Sequence, residues 1–197
     1  MLGLPKATEL SKQLPKKAIY AKFAMNGTAK DKFDDDISKI VIVNEISPST
    51  ANIAAGTEVS SFFVLLVSLK HRDYDEKNIA MLSKLIPQNM LYILEFDGKC
   101  QLAVYRTKLI HTDWHSSESC TVSLNGLDLD SVWQNIIVQV GGIEIQNGNT
   151  LDEQIVSDEQ RAKIEKEIAR LEKLARAEKQ PKKKFEYVQQ IKRLKNY

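Results

Sequence analysis

Two histidines and a cysteine, close together in the second half of the chain, are the first side chains that could do chemistry. His111, His115 and Cys120, with Asp113 between them, are residue types that bind zinc. Zinc sites usually space their cysteine pairs more tightly, and a suitable fourth ligand is missing here. A polar loop with two solvent-exposed histidines is the simpler interpretation. His111, His115 and Cys120 therefore form only an alternative metal site, and we expect no metal and no cofactor.

An acidic run and a strand-ending lysine could together serve a metal-dependent nuclease. Asp34, Asp35 and Asp36 precede a β-branched segment, and a later apolar segment ends at Lys70. A restriction-type nuclease places an acid two residues before its lysine, because carboxylates must hold magnesium against the phosphate. Ser68 occupies that position here. Asp36 and Lys70 are the candidate catalytic residues of this alternative, a degenerate nuclease, and we expect the chain not to be an enzyme.

Basic residues are concentrated at the two ends of the chain. Residues 1–30 carry six lysines and one acid, whereas residues 31–150 carry nine basic and sixteen acidic residues. Residues 151–197 carry thirteen basic and nine acidic residues. Such ends could bind nucleic acid or an acidic partner, although lysine is also the ordinary residue of a solvated helix face. The candidate binding residues are Lys16, Lys17, Lys179, Lys182, Lys183, Lys184, Lys192, Arg193 and Lys195.

Composition and missing motifs exclude several other classes of protein. The 197 residues are 43% hydrophobic and 27% charged, which is typical of a globular protein. The longest uncharged apolar run, residues 59–69, is shorter than a membrane helix, and Pro5 and Lys6 precede any apolar stretch of a signal peptide. The turn at residues 52–56 lacks the second glycine and the Lys-Ser/Thr of a phosphate-binding loop. We therefore expect a cytoplasmic protein without a membrane segment.

Cys100 and Cys120 are twenty residues apart. A histidine could activate either thiol, but no local signature of a cysteine nucleophile accompanies them. Secreted disulfide-rich scaffolds carry more cysteines than this chain does. We expect free thiols in a reducing compartment, and the spacing alone leaves one disulfide open.

Hydrophobic patterning predicts an α/β or α+β fold with a mixed sheet of about four or five strands. Prolines divide the first thirty residues into short helices, with Thr8 as an N-cap. Strands are predicted over residues 37–46 and 58–70, and Asp97-Gly98 predicts a hairpin between two later strands. Helices are predicted before Pro87 and after Asp128 or Asp130. The predicted core comprises Ile40, Ile42, Phe63, Leu65, Val67, Leu91, Ile93, Leu102 and Val104, and Trp114 is expected to pack against it.

The C-terminal region predicts two antiparallel helices joined near Pro181. An amphipathic stripe at Ile164, Ile168, Leu171 and Leu174 resumes after the proline at Phe185, Val188, Ile191 and Leu194. The resulting organisation is a body over residues 1–142 with a basic helical N-terminus, a linker over 143–157 and a basic helical hairpin over 158–197. Docking of the hairpin is expected to leave its lysines facing solvent as one patch.

Motifs spread over nearly the whole chain resemble a prokaryotic family known only as a domain of unknown function. They are Leu4-Pro5-Lys6, Pro15-Lys16-Lys17, Pro48 to Ile53, Thr112-Asp113-Trp114, Gly126 to Asp130 and the run Leu171 to Leu194. The resemblance implies genes beside helicase and DNA-methyltransferase genes in restriction or phage-defence clusters. It carries over no catalytic residues. The chain has Val64, Leu66 and Ser68 where relatives often have acids, which sets it apart from any metal chemistry among them.

Three hypotheses of function follow from these observations. The leading one is a non-catalytic accessory protein of a helicase–methyltransferase defence system, which binds a helicase or DNA methyltransferase and contacts nucleic acid through its basic ends. The second is the nuclease-like alternative with Asp36 and Lys70. The third is a structural module that forms a homodimer through the helical hairpin as a four-helix bundle.

Overall fold

A computed structural model describes residues 2–195 of the chain. Contacts within the chain divide it into two units, of which the first ends at Ile143 and the second begins at Glu144. Each unit is described separately below.

The first unit is built on a mixed sheet, which confirms the predicted fold class. Within the described residues the sheet has seven strands: β1 (Glu9–Gln13), β2 (Ile37–Ile46), β3 (Phe62–Leu69), β4 (Asn89–Phe96), β5 (Lys99–Tyr105), β6 (Leu109–His111) and β7 (His115–Ser116). The strand order is β1-β2-β3-β4-β5-β6, and β7 also pairs with β5. The strands beyond the predicted four or five are short, and a run of two to five residues gives little alternation for sequence analysis to detect.

One pair of neighbouring strands is parallel and the others are antiparallel. β3 and β4 run parallel, with Leu65 beside Tyr92, and the chain between them passes through helix α4 (Glu76–Leu82). The short helix α3 (Pro48–Ala51) lies earlier, between β2 and β3. Parallel strands need such a crossover, whereas antiparallel strands can be joined by a tight turn. Asp97 and Gly98 form that turn between β4 and β5, both with positive φ, which confirms the predicted hairpin.

The N-terminal region differs from the prediction of helices alone. Residues 9–13 form the edge strand β1, followed by the helices α1 (Lys16–Lys22) and α2 (Gly27–Asp36). Thr8 does not cap a helix. Its hydroxyl donates to the carbonyl oxygen of Pro5 at 2.7 Å and accepts from the side-chain amide of Asn44 at 2.8 Å, so it ties this segment to β2.

Apolar side chains fill the sheet on both faces. One face carries Leu65, Val67, Tyr92 and Leu94 under the helices α1, α2 and α4. On the other, helix α5 (Leu129–Gly141) places Trp133 against Phe62, with 5.2 Å between ring centroids. Eight of the nine predicted core residues are buried, and Phe63 is half-buried against the same core. Trp114 also packs on this core, as predicted.

The second unit contains two helices, α6 (Leu151–Ala177) and α7 (Pro181–Lys195), which pack against each other as the predicted hairpin. The predicted linker over 143–157 is too long, because α6 begins at Leu151. Thr150 and Glu153 form a reciprocal capping box there: the Glu153 carboxylate accepts from the Thr150 backbone at 2.8 Å. This Thr-x-x-Glu signature is readable in the sequence and marks the true start of the helix.

The expectation of free thiols is wrong, because the structure joins Cys100 and Cys120 in a disulfide with their Cα atoms 6.8 Å apart. The spacing in sequence gave no sign of this contact. It arises because β7 returns beside β5, with Cys100 opposite His115, and brings the following loop back to the same strand.

No helix within residues 2–195 combines the length and the apolar character needed to cross a lipid bilayer.

Candidate functional sites

Seven of the nine basic residues predicted to bind a partner lie on the hairpin, and all seven are exposed. Helix α7 carries six of them, Lys182, Lys183, Lys184, Lys192, Arg193 and Lys195, against the single acid Glu186. Lys179 lies in the connection between α6 and α7. Among the helices and strands of residues 2–195, α7 has the largest excess of cations over acids.

These cations do not form the single patch that we expected. Consecutive residues of an α-helix are about 100° apart, so Lys182, Lys183 and Lys184 point in three directions around the first turn of α7. Lys195 lies 3.4 Å from the Glu172 carboxylate of α6, so one of the seven is engaged within the hairpin. Three of the cations instead surround the first turn of α7, and three others lie in its last turn.

The three lysines at the start of α7 also oppose the helix dipole. The first turn of a helix carries partial positive charge and favours acids, yet the first turn of α7 has none. The cations in the last turn, in contrast, have the favourable sign. A bound anion would relieve the repulsion at the first turn, because its charge has the sign that a helix N-terminus favours.

Lys16, unlike the α7 lysines, has a structural role. Its ammonium contacts the Asp34 carboxylate at 2.5 Å and also donates to the carbonyl oxygen of Ile37. The Tyr20 hydroxyl donates to the same Asp34 oxygen at 2.5 Å. Burial opposes the charged form of Asp34, but the hydrogen bonds from Lys16 and Tyr20 outweigh it and lower the pKa of Asp34. Lys17 stays exposed on α1, so only one of the two N-terminal candidates is presented to a partner.

Asp36 and Lys70 come together as neighbours in the backbone, but not as a metal site. The Lys70 backbone donates to the Asp36 carbonyl oxygen at 2.8 Å. The Asp36 carboxylate accepts from the Asp75 backbone at 2.9 Å and from the Asn78 side chain at 2.6 Å, and His71 Nε2 lies 3.3 Å away. These contacts hold the start of α4 against the start of β2, which gives Asp36 a structural role.

The second carboxylate that a nuclease needs does not face Asp36. Ser68 is registered beside Glu95 of β4, an acid that sequence spacing did not connect with this site. Glu95 follows Leu94, whose side chain packs on the core face that α4 covers, so Glu95 lies on the opposite face of the sheet. Among residues 2–195, no three His, Cys, Asp or Glu side chains are grouped to hold a metal ion.

The alternative zinc site at His111, His115 and Cys120 is wrong. The Sγ atom of Cys120 is bonded to that of Cys100 and cannot act as a thiolate ligand. The Nδ1 atom of His111 lies 3.0 Å from the Gln101 side chain, and its Nε2 atom lies 3.5 Å from the Glu76 carboxylate. His115 is exposed on β7. His115 and Cys120 both lie beside Cys100, but the disulfide removes the thiolate that a zinc site would need.

Sequence analysis missed a polar network around Gln101, which is 95% buried on β5. The Gln101 side chain accepts from the Tyr74 hydroxyl at 2.8 Å and donates to the carbonyl oxygen of Thr112 at 2.8 Å. Burial raises the pKa of Tyr74 well above its ordinary value, so the tyrosine stays a hydrogen-bond donor. A polar residue within an apolar strand was the available signal. The network fixes the loop before β7 and satisfies the buried amide.

The architecture defines a mixed α/β protein with a basic helical hairpin. The chain belongs to the family described as Domain of unknown function (DUF4391), whose profile matches residues 2–197. No curated protein and no solved structure matches the chain significantly.

Proposed function

We propose that this protein is a non-catalytic interaction protein that binds an acidic surface through the cations of α7. One observation carries the proposal: α7 exposes six basic side chains against one acid, and three of the six stand in its first turn. That placement costs helix stability, so it is better explained by a bound anion than by folding.

The surface that fits this helix best is a nucleic-acid backbone held within an enzyme complex. Phosphates present closely spaced negative charges, and lysines spread around a helix can reach several of them. The resemblance noted in the sequence points to a helicase or DNA methyltransferase of a defence cluster as the enzyme. In that setting the protein would act as an accessory subunit, with α7 contacting the DNA on which the enzyme works.

The DNA-binding half of the proposal is tested by fluorescence anisotropy with labelled duplex and single-stranded DNA over a salt series. The triple variant Lys182→Ala/Lys183→Ala/Lys184→Ala should weaken binding and lower the slope of log K against log [salt] by about three. A matched control removes three exposed lysines of the first unit, Lys22→Ala/Lys77→Ala/Lys84→Ala. The control changes net charge equally and should leave the slope within about one of the parent value.

The partner half is tested by affinity purification from the native host followed by mass spectrometry. We expect the parent protein and the control variant to retain a helicase or methyltransferase, and the α7 triple variant to lose it. The proposal fails if the parent protein binds no DNA at low salt and purifies without such a partner. If the α7 triple variant and the control variant lose the partner to the same extent, binding depends on net charge, and the proposed role of α7 is wrong.

A further inference from the structure

The hairpin exposes an aromatic side chain on its basic helix. Phe185 of α7 is 63% exposed, whereas every other aromatic side chain of residues 2–195 is buried or half-buried. Aromatic side chains stabilise a fold when they are buried, so the position of Phe185 contributes little to the packing of the hairpin. Because α7 also has six cations and one acid, the exposed ring and the cations indicate a ligand that contacts both.

The Phe185 ring points away from the contact between α6 and α7. The two helices pack against each other, and Ile191 is the buried residue of α7. Phe185 precedes Ile191 by six residues, which places the two side chains about 120° apart around the helix. The ring therefore lies outside the packed side of α7, in agreement with its exposure.

Two exposed cations lie on the same side of α7 as Phe185. Lys182 is three residues before Phe185 and Lys192 is seven residues after it, so both are within about 60° of the ring around the helix. The two lysines are about 15 Å apart along the helix axis, with the ring between them. Glu186, the single acid of α7, is about 100° from the ring. We call Lys182, Phe185 and Lys192 the Phe185 row.

Single-stranded nucleic acid is the ligand whose chemistry matches the Phe185 row. Its phosphates are anions that lysines neutralise, and its unpaired bases present flat faces that stack on aromatic side chains. In a duplex, each base is already stacked between its neighbours, so the bases offer no free face to an exposed ring. A surface of carboxylates, in contrast, would pair with the two lysines and leave the ring in water.

We infer that α7 binds single-stranded nucleic acid, with one base stacked on Phe185 and neighbouring phosphates paired with Lys182 and Lys192. This inference rests on the proposed anion-binding function and names the class of nucleic acid that the site takes. The lysines supply an attraction that weakens with salt, and the ring supplies the preference for a single strand over a duplex. Stacking tolerates any base, so binding should depend little on the sequence of the strand.

Fluorescence anisotropy of the full chain with a labelled oligo(dT) strand and with a duplex of equal length tests the preference. The parent protein should bind the strand more tightly than the duplex at equal salt. Phe185→Leu removes the aromatic face and keeps an apolar helix former, so it should weaken strand binding about tenfold and leave duplex binding unchanged. Val188→Ala is the matched control: it removes a 38% exposed side chain that has no aromatic face, and it should change neither affinity.

The salt dependence separates the ring from the cations. Phe185→Leu should leave the slope of log K against log [salt] unchanged, because the ring carries no charge. The α7 triple lysine variant should lower that slope instead.

Phe185→Trp tests stacking directly, because the fluorescence of an indole is quenched when a base stacks on it. The variant should keep the strand affinity of the parent, and its added fluorescence should fall when the strand binds. Trp114 and Trp133 are present in both proteins, so the parent supplies the background signal.

Unquenched fluorescence of Phe185→Trp, or equal effects of Phe185→Leu on strand and duplex, would overturn the inference and leave the cation-based function of α7 in place. Loss of a co-purified protein in Phe185→Leu, with strand binding unchanged, would assign the ring to a protein partner and also overturn it. A parent protein that binds neither nucleic acid would contradict the DNA-binding half of the proposed function as well.

Discussion

At the scale of single residues, two aspartates separated by one position have different structural tasks. Asp128 caps α5, since its carboxylate accepts from the Ser131 backbone at 2.8 Å. Asp130 instead accepts from the backbone N–H groups of Thr57 and Val59, both at 2.7 Å, and closes the loop before β3 onto α5. Gly56 is needed there, because a Cβ would lie 2.1 Å from the Asp130 carboxylate.

Asp130 gives a pH-dependent prediction. The pKa of Asp130 lies below the ordinary 3.8, because its carboxylate accepts a hydrogen bond from the Thr57 side chain and others from the backbones of Val59, Thr57 and Glu58. A carboxyl group whose pKa is lowered by folding stabilises the folded state at pH values above its pKa in the unfolded state. This stabilisation is lost as the pH falls through its pKa in the folded state. Asp130→Asn should therefore be less stable than the parent at pH 7.

The measurement is urea denaturation of both proteins at pH 7 and at several values below pH 4. The difference in free energy of unfolding should shrink as the pH falls, because protonation removes the charge from the parent carboxylate. Thr112→Val provides a comparison outside this loop, since its effect should not depend on pH in this range. A constant difference between Asp130→Asn and the parent would contradict the assigned charge interaction.

At the scale of elements, sequence analysis recovered what repeats along a strand or helix and missed what depends on long-range contacts. The buried strands β2 to β5 and the α6–α7 hairpin carry periodic apolar side chains, and these were predicted. β1 has five exposed residues and no such pattern, and its partner β2 is more than twenty residues away. The disulfide and the separation of Asp36 from Glu95 likewise follow from strand pairing, which local sequence does not reveal.

The disulfide between β5 and the loop after β7 should contribute measurably to stability. It closes a segment of twenty residues, and loops of that size correspond to about 3 kcal/mol in the chain-entropy account. We expect dithiothreitol to lower the free energy of unfolding by up to that amount, as measured with urea. The double variant Cys100→Ser/Cys120→Ser should be destabilised already and insensitive to the reductant. A parent protein that is equally insensitive would contradict this stabilising role.

At the scale of the whole molecule, the chain separates an apolar sheet from a highly charged pair of helices. The first unit has most of the buried apolar side chains, whereas α6 and α7 bury few and expose most of their charges. The first unit therefore accounts for most of the packed structure, and the candidate binding residues lie mainly on the two helices. Asp36, Gln101 and Asp130 of the first unit hold loops and helices in place, and the cations of α7 remain exposed.

The connection between the two units should be the first site of proteolysis. Glu144, Ile145, Gln146, Asn147 and Gly148 are exposed and lie outside regular helices and strands. Proteases need a segment that can adapt to their active site, and exposed loops with few packing contacts supply it. Brief digestion with a protease of low specificity should therefore cut between residues 144 and 148. The fragment that ends there should keep its fold, because both faces of its sheet are covered by its own helices.

Mass spectrometry would locate the cut, and the fragment's circular dichroism and cooperative thermal unfolding would report its structure. Early cleavage inside residues 9–141, or loss of cooperative unfolding after the cut, would show that the sheet unit depends on the helical hairpin for its stability.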